Sequence, residues 1–257
     1  MRALTPLDLL SVWERGEASP PSQRALLLLA AAHPDVDPER LARLSVGRRD
    51  AQLIALRGRL FGPGLLGVGT CPACGERVEL TFDAAALGVA APPDPDAEPP
   101  APAAETSGPV AETLSAADHE VVFRAPDSED LAAIAGSPDP VAARAALLAR
   151  CILSVRRHGA GVSLDEAPSA VTDAVVERMA ALDPQADVQL ALTCPACDHA
   201  WSIAFDIVSF LWREIDAWAA RALREVHVLA SAYGWRESDI LQLSPARRRA
   251  YIELIAG

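Results

Sequence analysis

The chain is 257 residues long, enough for one large domain or two modest ones with a real core. Hydrophobic residues make up 51%, aromatic residues only 5% and charged residues 23%, a balance that excludes wholesale disorder. The net charge is −12 and each of the 23 basic residues is arginine; so acidic a chain is poorly suited to wrapping nucleic acid or coating an anionic membrane, because phosphate binding needs a cationic surface.

Four helices are expected first. Thr5-Pro6 opens one carrying Leu7, Leu10 and Trp13, Pro20-Pro21 opens a second through Leu29, and Pro38 a third through Leu44. The fourth runs from Arg48 to Leu60, with Leu53, Leu56 and Leu60 on one stripe. Cys71-Pro72-Ala73-Cys74 follows, and then Arg77 to Phe82 alternates polar and apolar residues, which reads as a strand. Residues 91–109 hold seven prolines and four acids without a large apolar side chain. Such a stretch cannot pack and reads as a linker, able to span roughly 55 Å as polyproline II.

Beyond the linker, His119 to Phe123 reads as a strand and Asp127 can cap a helix through Ile134. Pro140 opens a helix with Val141, Ala145, Leu148 and Ile152 on one face, and Ser169 to Leu182 is helical by pattern. A strand-like Val188 to Thr193 leads into Cys194-Pro195-Ala196-Cys197, and a second follows from Trp201 to Phe205. Asp206 can cap a long helix to Tyr233, whose stripe is Ile207, Leu211, Ile215, Trp218, Ala222, Val226 and Leu229; Gly234 can end it. Trp235 to Leu243 is expected as a short helix. Ser244-Pro245 then opens the last, with Arg247, Arg248 and Arg249 and the apolar set Tyr251, Leu254 and Ile255.

A shift of 123 positions superposes Thr70 on Thr193, both cysteines of one CPAC on those of the other, Phe82-Asp83 on Phe205-Asp206, and Asp50-Ala51 on Asp173-Ala174. Helix, strand, CPAC, strand, Phe-Asp, helix is thus written twice. The expected fold is α+β and mainly helical: two pseudo-repeats, each with a CxxC zinc-knuckle hairpin, joined as a composite zinc ribbon, plus C-terminal helices. The segments are residues 1–89, a linker segment 90–116, and residues 117–257.

Each knuckle offers two thiolates, and a tetrahedral zinc takes four near 2.3 Å. The simplest closed site is therefore Cys71, Cys74, Cys194 and Cys197, a structural zinc with no open position. Knuckles paired across a dimer, or an empty ribbon, are the alternatives. A dithiol catalyst would set its first cysteine at a helix N-terminus, whereas the residues after each CPAC lead into strands. Cys151, among Leu147, Leu148 and Ile152, reads as a buried free thiol. His199 reads as a polar residue of the hairpin, and Glu214, Glu225 and His227 as surface charges. No phosphate loop, GxSxG elbow or HExxH appears, so neither an enzyme nor a small-molecule substrate is expected.

The longest uncharged apolar run, 25–32, is short of the ~20 residues that cross a bilayer. Residues 1–6 lack the core of a signal peptide. A cytoplasmic protein without membrane contact is expected, and in that compartment paired cysteines favour metal or redox chemistry over disulfides.

Phe205-Asp206-Ile207 leads into Leu211-Trp212-Arg213-Glu214-Ile215, followed by Glu225 to Ala230, Ala232-Tyr233-Gly234-Trp235, Asp239-Ile240-Leu241 and Leu243 to Tyr251. This succession resembles the baseplate hub assembly proteins of T-even-type contractile phage tails and their relatives in bacterial contractile injection systems. Gly47-Arg48-Arg49-Asp50 through Leu56-Arg57, then Phe61-Gly62, is similar to the N-terminal pattern of the same group. Arg236 departs from it, since a capping serine or threonine is expected there. The resemblance implies a non-enzymatic assembly chaperone or hub component whose partners are baseplate hub or spike proteins. The expected contacts are Trp212, Trp235, Tyr251 and Arg247, Arg248 and Arg249, aromatic and arginine side chains being common anchors. The same arginines, beside a helix–turn–helix pattern, leave open a zinc-ribbon regulator that binds nucleic acid; the acidic balance makes that the second reading.

Overall fold

The computed structural model describes residues 1–83, 87 and 110–256. The expected linker at 91–109 lies outside the described residues. Two compact units emerge: Met1–Pro34 with Ile207–Gly257, and Asp35–Asp206. This grouping by contact joins the two ends of the chain, whereas the grouping read from sequence follows consecutive segments.

The first unit is helical. Helix α1 (Pro6–Gly16) starts on a capping box in which Thr5 and Asp8 satisfy each other's backbone N–H, with Pro6 in the first turn. Helix α2 spans Pro21–Ala32 and α8 spans Ile207–Tyr233. The α8 stripe is buried as expected, except Trp218, which is partly exposed. Leu10 of α1 joins Ala219, Ala222, Val226, Leu229, Ile240 and Leu241 in one apolar cluster. Trp13 donates its indole N–H to Asp216 at 2.8 Å. Gly234 ends α8 at φ +69°, a left-handed conformation suited to glycine, and its N–H bonds to the Ala230 carbonyl. Helix α9 (Glu237–Gln242) begins at Arg236, whose side chain makes no capping bond. Helix α10 (Pro245–Ala256) is capped by Ser244 Oγ, which accepts the Arg247 N–H.

On α10 the apolar set differs from expectation. Tyr251 and Ile252 pack on the cluster, while Leu254 and Ile255 face solvent. With 3.6 residues per turn, positions 251 and 252 share a face with Arg248 and 254 points away from it; Ile255 is back on that face but 39% exposed in the helix's last turn.

The second unit mixes helices with antiparallel strands. Helices α3 (Pro38–Ala42) and α4 (Val46–Phe61) lead into the hairpin β1 (Gly64–Thr70) and β2 (Arg77–Asp83). A four-stranded sheet follows in the order β3 (Glu112–Ala116), β4 (His119–Phe123), β5 (Ile152–Arg157) and β6 (Ala160–Gly161). Helices α5 (Ser128–Ile134) and α6 (Pro140–Cys151) lie between β4 and β5 in sequence. Helix α7 (Ser169–Leu182) sets Val171 and Val175 against Val121, Phe123 and Val155 of the sheet. The last hairpin is β7 (Gln189–Thr193) with β8 (Ala200–Ala204).

Three expectations change. Glu112–Ala116, inside the segment 90–116 assigned to the linker, is a strand whose Leu114 packs on the sheet core. Ile152 begins β5 instead of continuing the α6 face, and Val141 of that face is exposed. β-Branched residues at 152 and 155 favour the strand over another helical turn.

Candidate metal centre

Each CPAC forms the turn of a hairpin, and the two turns match bond for bond. The Cys71 N–H donates to the Glu76 carbonyl at 2.8 Å, and the Gly75 N–H donates to the Cys71 carbonyl at 2.9 Å. In the second hairpin Cys194 donates to His199 at 2.9 Å and Asp198 to Cys194 at 3.0 Å. The residue after each motif is left-handed, Gly75 at φ +76° and Asp198 at φ +56°. Glycine takes that conformation freely, and aspartate is among the few L residues that tolerate it. This turn aims both sulfurs of each motif to one side.

The four sulfurs of Cys71, Cys74, Cys194 and Cys197 lie within 4.8 Å of one another. The contacts cross between hairpins: Cys71 to Cys197 is 3.8 Å and Cys74 to Cys194 is 3.6 Å. All four cysteines are free thiols, the first of each pair buried and the second exposed. A tetrahedron with metal–sulfur bonds near 2.3 Å has sulfur–sulfur edges of about 3.8 Å. The cluster fits a four-thiolate metal ion by donor type, number and spacing.

The electrostatics fit as well. Burial pushes the Cys71 thiol up, but the backbone N–H groups of Cys74 and Ala73 and the neighbouring sulfurs outweigh it and bring it down to about 7. For Cys74 the Glu76 N–H pulls down, yet the other three sulfurs and burial push it up to about 12. Cys197 is also raised: the His199 N–H and Cys74 lower it, and burial with the remaining sulfurs outweighs them. The surroundings thus favour the thiolate at Cys71 and resist ionisation at Cys74 and Cys197. A bound cation removes that resistance by neutralising the crowded thiolates.

Beneath the turns the hairpins meet face to face. Phe82 and Phe205 pack edge to face at 5.4 Å. Gly69 makes room on β1, where an added Cβ would lie 3.3 Å from Leu192 and 3.8 Å from Trp201. The His199 imidazole is not one of the four clustered groups and stacks on Trp201, while its main chain supports the turn. Neither Cys71 nor Cys194 stands at a helix N-terminus, the geometry that activates a dithiol catalyst.

A polar cluster that sequence reasoning missed lies in the same unit. Asp130 is fully buried and accepts two bonds from Arg124, at 2.6 and 3.1 Å, and one from Arg150 Nε at 2.9 Å. Although burial pushes its carboxyl up, these arginines and the Asp127 N–H hold it down at about 2. Asp127 is raised by its own burial first, with Asp130 adding to it. Asp127 and Asp130 also form the capping box of α5, the one part of the cluster visible in sequence. Cys151 is buried beside Asp130 at 3.8 Å, and burial pushes its thiol up to about 12. It is the buried free thiol expected.

The six expected contact residues lie in the helical unit and separate into two kinds. Trp235 and Tyr251 form an aromatic cluster with Tyr233, at 4.7 to 5.8 Å between rings, and Arg247 lies over Tyr251. Arg247 and Arg249 are exposed. Trp212 and Arg248 are each only 3% exposed and so offer little surface to a partner. Trp212 lies against Gly16 under the Arg24 guanidinium, and Arg248 pairs with Glu225 at 2.6 Å and donates to the Leu243 carbonyl. Glu225 is thus one half of a partly buried ion pair instead of a free surface charge.

Among the described residues no helix is long and apolar enough to cross a membrane. A family model described as T4 bacteriophage base plate protein matches residues 27–212. The match takes in both hairpins and ends at Trp212, so α9 and α10 lie beyond it. No curated protein and no solved structure matches the chain.

Proposed function

The chain belongs to the T4 bacteriophage base plate protein family, and from that premise we propose that it is a non-enzymatic assembly factor for the baseplate hub of a phage-like contractile injection system. Its partners in this reading are hub or spike proteins, engaged through protein–protein contacts in the cytoplasm. The observation that carries the reading is the closed set of four sulfurs between two hairpins of a base plate family member. Four protein ligands fill a tetrahedral ion and leave no position for water or substrate, which suits a structural metal and not a catalytic one.

We assign zinc as the metal, because four thiolates in a closed tetrahedral set suit it well. When bound, the ion links the four thiolates. The chain's own residues do the rest: the N–H groups around each turn orient the sulfurs, and the Phe82–Phe205 contact packs the hairpins below them. A duplicated origin is supported by the frame. Shifting Val46, the start of α4, by 123 positions gives Ser169, the start of α7. The crossed sulfur pairs exchange under the same shift, as an internal two-fold requires. The upstream Asp50 and Asp173 do not share surroundings, since Asp50 pairs with a buried Arg49 and Asp173 with an exposed Arg144.

Trp235, Tyr251, Arg247 and Arg249 supply the contact surface, with Arg248 tying α10 to α8 beneath it and Trp212 packing the other end of α8 against Gly16 and Arg24. The test is capture of the tagged chain from a strain that produces the particle, with mass spectrometry of bound proteins and electron microscopy of particles from a deletion strain. Bound hub or spike proteins and failed baseplates support the reading. Normal baseplates in the deletion strain overturn it.

A further inference from the structure

The two hairpins are equivalent in their turns and differ on their outer faces. On β1, Leu66 is 74% exposed and Val68 is 54% exposed. The positions matching them under the 123-residue shift are Gln189 and Ala191, and the outer face of the second hairpin is completed by Thr193, Ala200, Ser202 and Ala204. The fold of such a hairpin therefore does not require large aliphatic side chains there. They mark the first hairpin alone.

The edges differ too. Strand β2 carries Arg77, Glu79 and Asp83, charges of the kind that discourage unwanted strand pairing. Strand β1 reads Gly-Leu-Leu-Gly-Val-Gly-Thr with no charge, and among the described residues it pairs with β2 alone. Among the described residues no strand covers the other edge of β1, where the Gly64 carbonyl accepts from Arg57 at 2.6 Å and Leu66 and Val68 stand exposed; an uncharged edge of this kind is a template for another strand.

We propose that β1 pairs antiparallel with β1 of a second copy of this chain, making a two-fold dimer through a four-stranded sheet. The β1 sequence is self-complementary about Gly67. Centred there, antiparallel pairing sets Leu66 opposite Val68 of the second copy on the outer face, and Leu65 opposite the small Gly69 on the inner face. Gly64, whose carbonyl accepts from Arg57, falls opposite Thr70 at the margin of this register. Each aliphatic finds an aliphatic and the buried leucine finds a glycine, the self-match an isologous interface needs. The chain's net charge of −12 opposes association at long range, and an uncharged strand is where that opposition is least. The inference stands apart from the baseplate reading and needs only the hairpin.

One strand pair buries well under about 1,000 Å², so the dimer is weak, with a dissociation constant on the order of 10 µM to 1 mM. The test is sedimentation velocity of the full, zinc-loaded chain over a wide concentration range at moderate salt. The wild type should shift from monomer to dimer. Leu66→Glu with Val68→Glu sets acids directly opposite one another and should weaken association by at least about tenfold. Because both side chains are exposed, melting temperature and metal content should stay unchanged. The Leu66→Lys with Val68→Lys variant should be monomeric alone, yet pair with the glutamate variant when the two are mixed. A wild type that stays monomeric throughout, or a dimer that survives the glutamate pair, overturns the proposal.

Discussion

Cys197→Ser tests the metal centre at its most direct point. The exposed Cys197 sits 3.8 Å from Cys71 across the two hairpins, so the substitution removes one bond of the link while leaving the buried Cys194 in place. The link closes a long loop, since Cys74 and Cys194 are 120 residues apart. Fixing such a loop lowers the entropy of the unfolded chain by an amount worth about 5 kcal/mol in the loop-closure model. The intrinsic worth of a four-thiolate zinc is larger, on the order of 10 kcal/mol, but part of it offsets the cost of gathering four thiolates. A domain is typically stable by only about 5–15 kcal/mol, so losing the link leaves the Asp35–Asp206 unit marginal. At roughly 2–4 °C per kcal/mol for a domain of this size, the melting midpoint should fall by about 10–20 °C. Circular dichroism melts of wild type and variant, each with and without a chelator, read the shift, and elemental analysis reads the zinc. Wild type should hold one zinc per chain and lose the same stability on chelation as the variant loses by mutation. Equal midpoints with no metal in either protein would refute the reasoning, because the sulfurs would then meet without holding anything.

Three further outcomes follow from packing and charge. Asp130→Asn breaks a buried pairing with two arginines and should cost about 3–5 kcal/mol in urea titration; because the native carboxyl is held down at about 2 from 3.8, its contribution is complete above the unfolded value and lost as pH falls through the native one, so wild type should converge on the variant in acid. Gly16→Ala places a methyl group into the Trp212 ring and should lower stability by about 1–3 kcal/mol, read as a lower melting midpoint. Arg248→Ala strands Glu225 and the Leu243 carbonyl and should cost about 2–4 kcal/mol, whereas Arg247→Ala should stay within about 0.5 kcal/mol of wild type and weaken partner capture instead.

Local chemistry made much of this fold readable. The caps at Thr5, Asp127 and Ser244, the proline-led helix starts and the glycine at 234 are all nearest-neighbour effects, and each appears where its residues require it. The four cysteines were readable because the repeat frame tied two distant pairs together. What escaped was decided by neighbours far along the chain. Nothing around Trp212 announces that Gly16, nearly two hundred residues away, will cover it, nor does an arginine run reveal that its middle member meets Glu225. The Asp130 cluster draws Arg124 from just before α5 and Arg150 from the end of α6, so only its capping half had a local signature.

What a metal would add at this site follows from how little each hairpin can do alone. Two strands bury one face at most and are marginal in water. Here the inner faces are thinned further by Gly67 and Gly69, and the apolar contact between them centres on Phe82 and Phe205. Replacing the glycines with larger residues would fill that face, but at Gly69 a side chain would crowd Leu192. The close approach that brings the sulfurs together is thus obtained by giving up hydrophobic area. A bound ion would restore the lost cohesion at the tips of the hairpins, where a strand pair is weakest. If that account holds, Gly69→Val should prise the hairpins apart from below and lower zinc affinity without touching a cysteine, measured by competition with a chelating dye; unchanged affinity would show that the two ends of the contact are uncoupled.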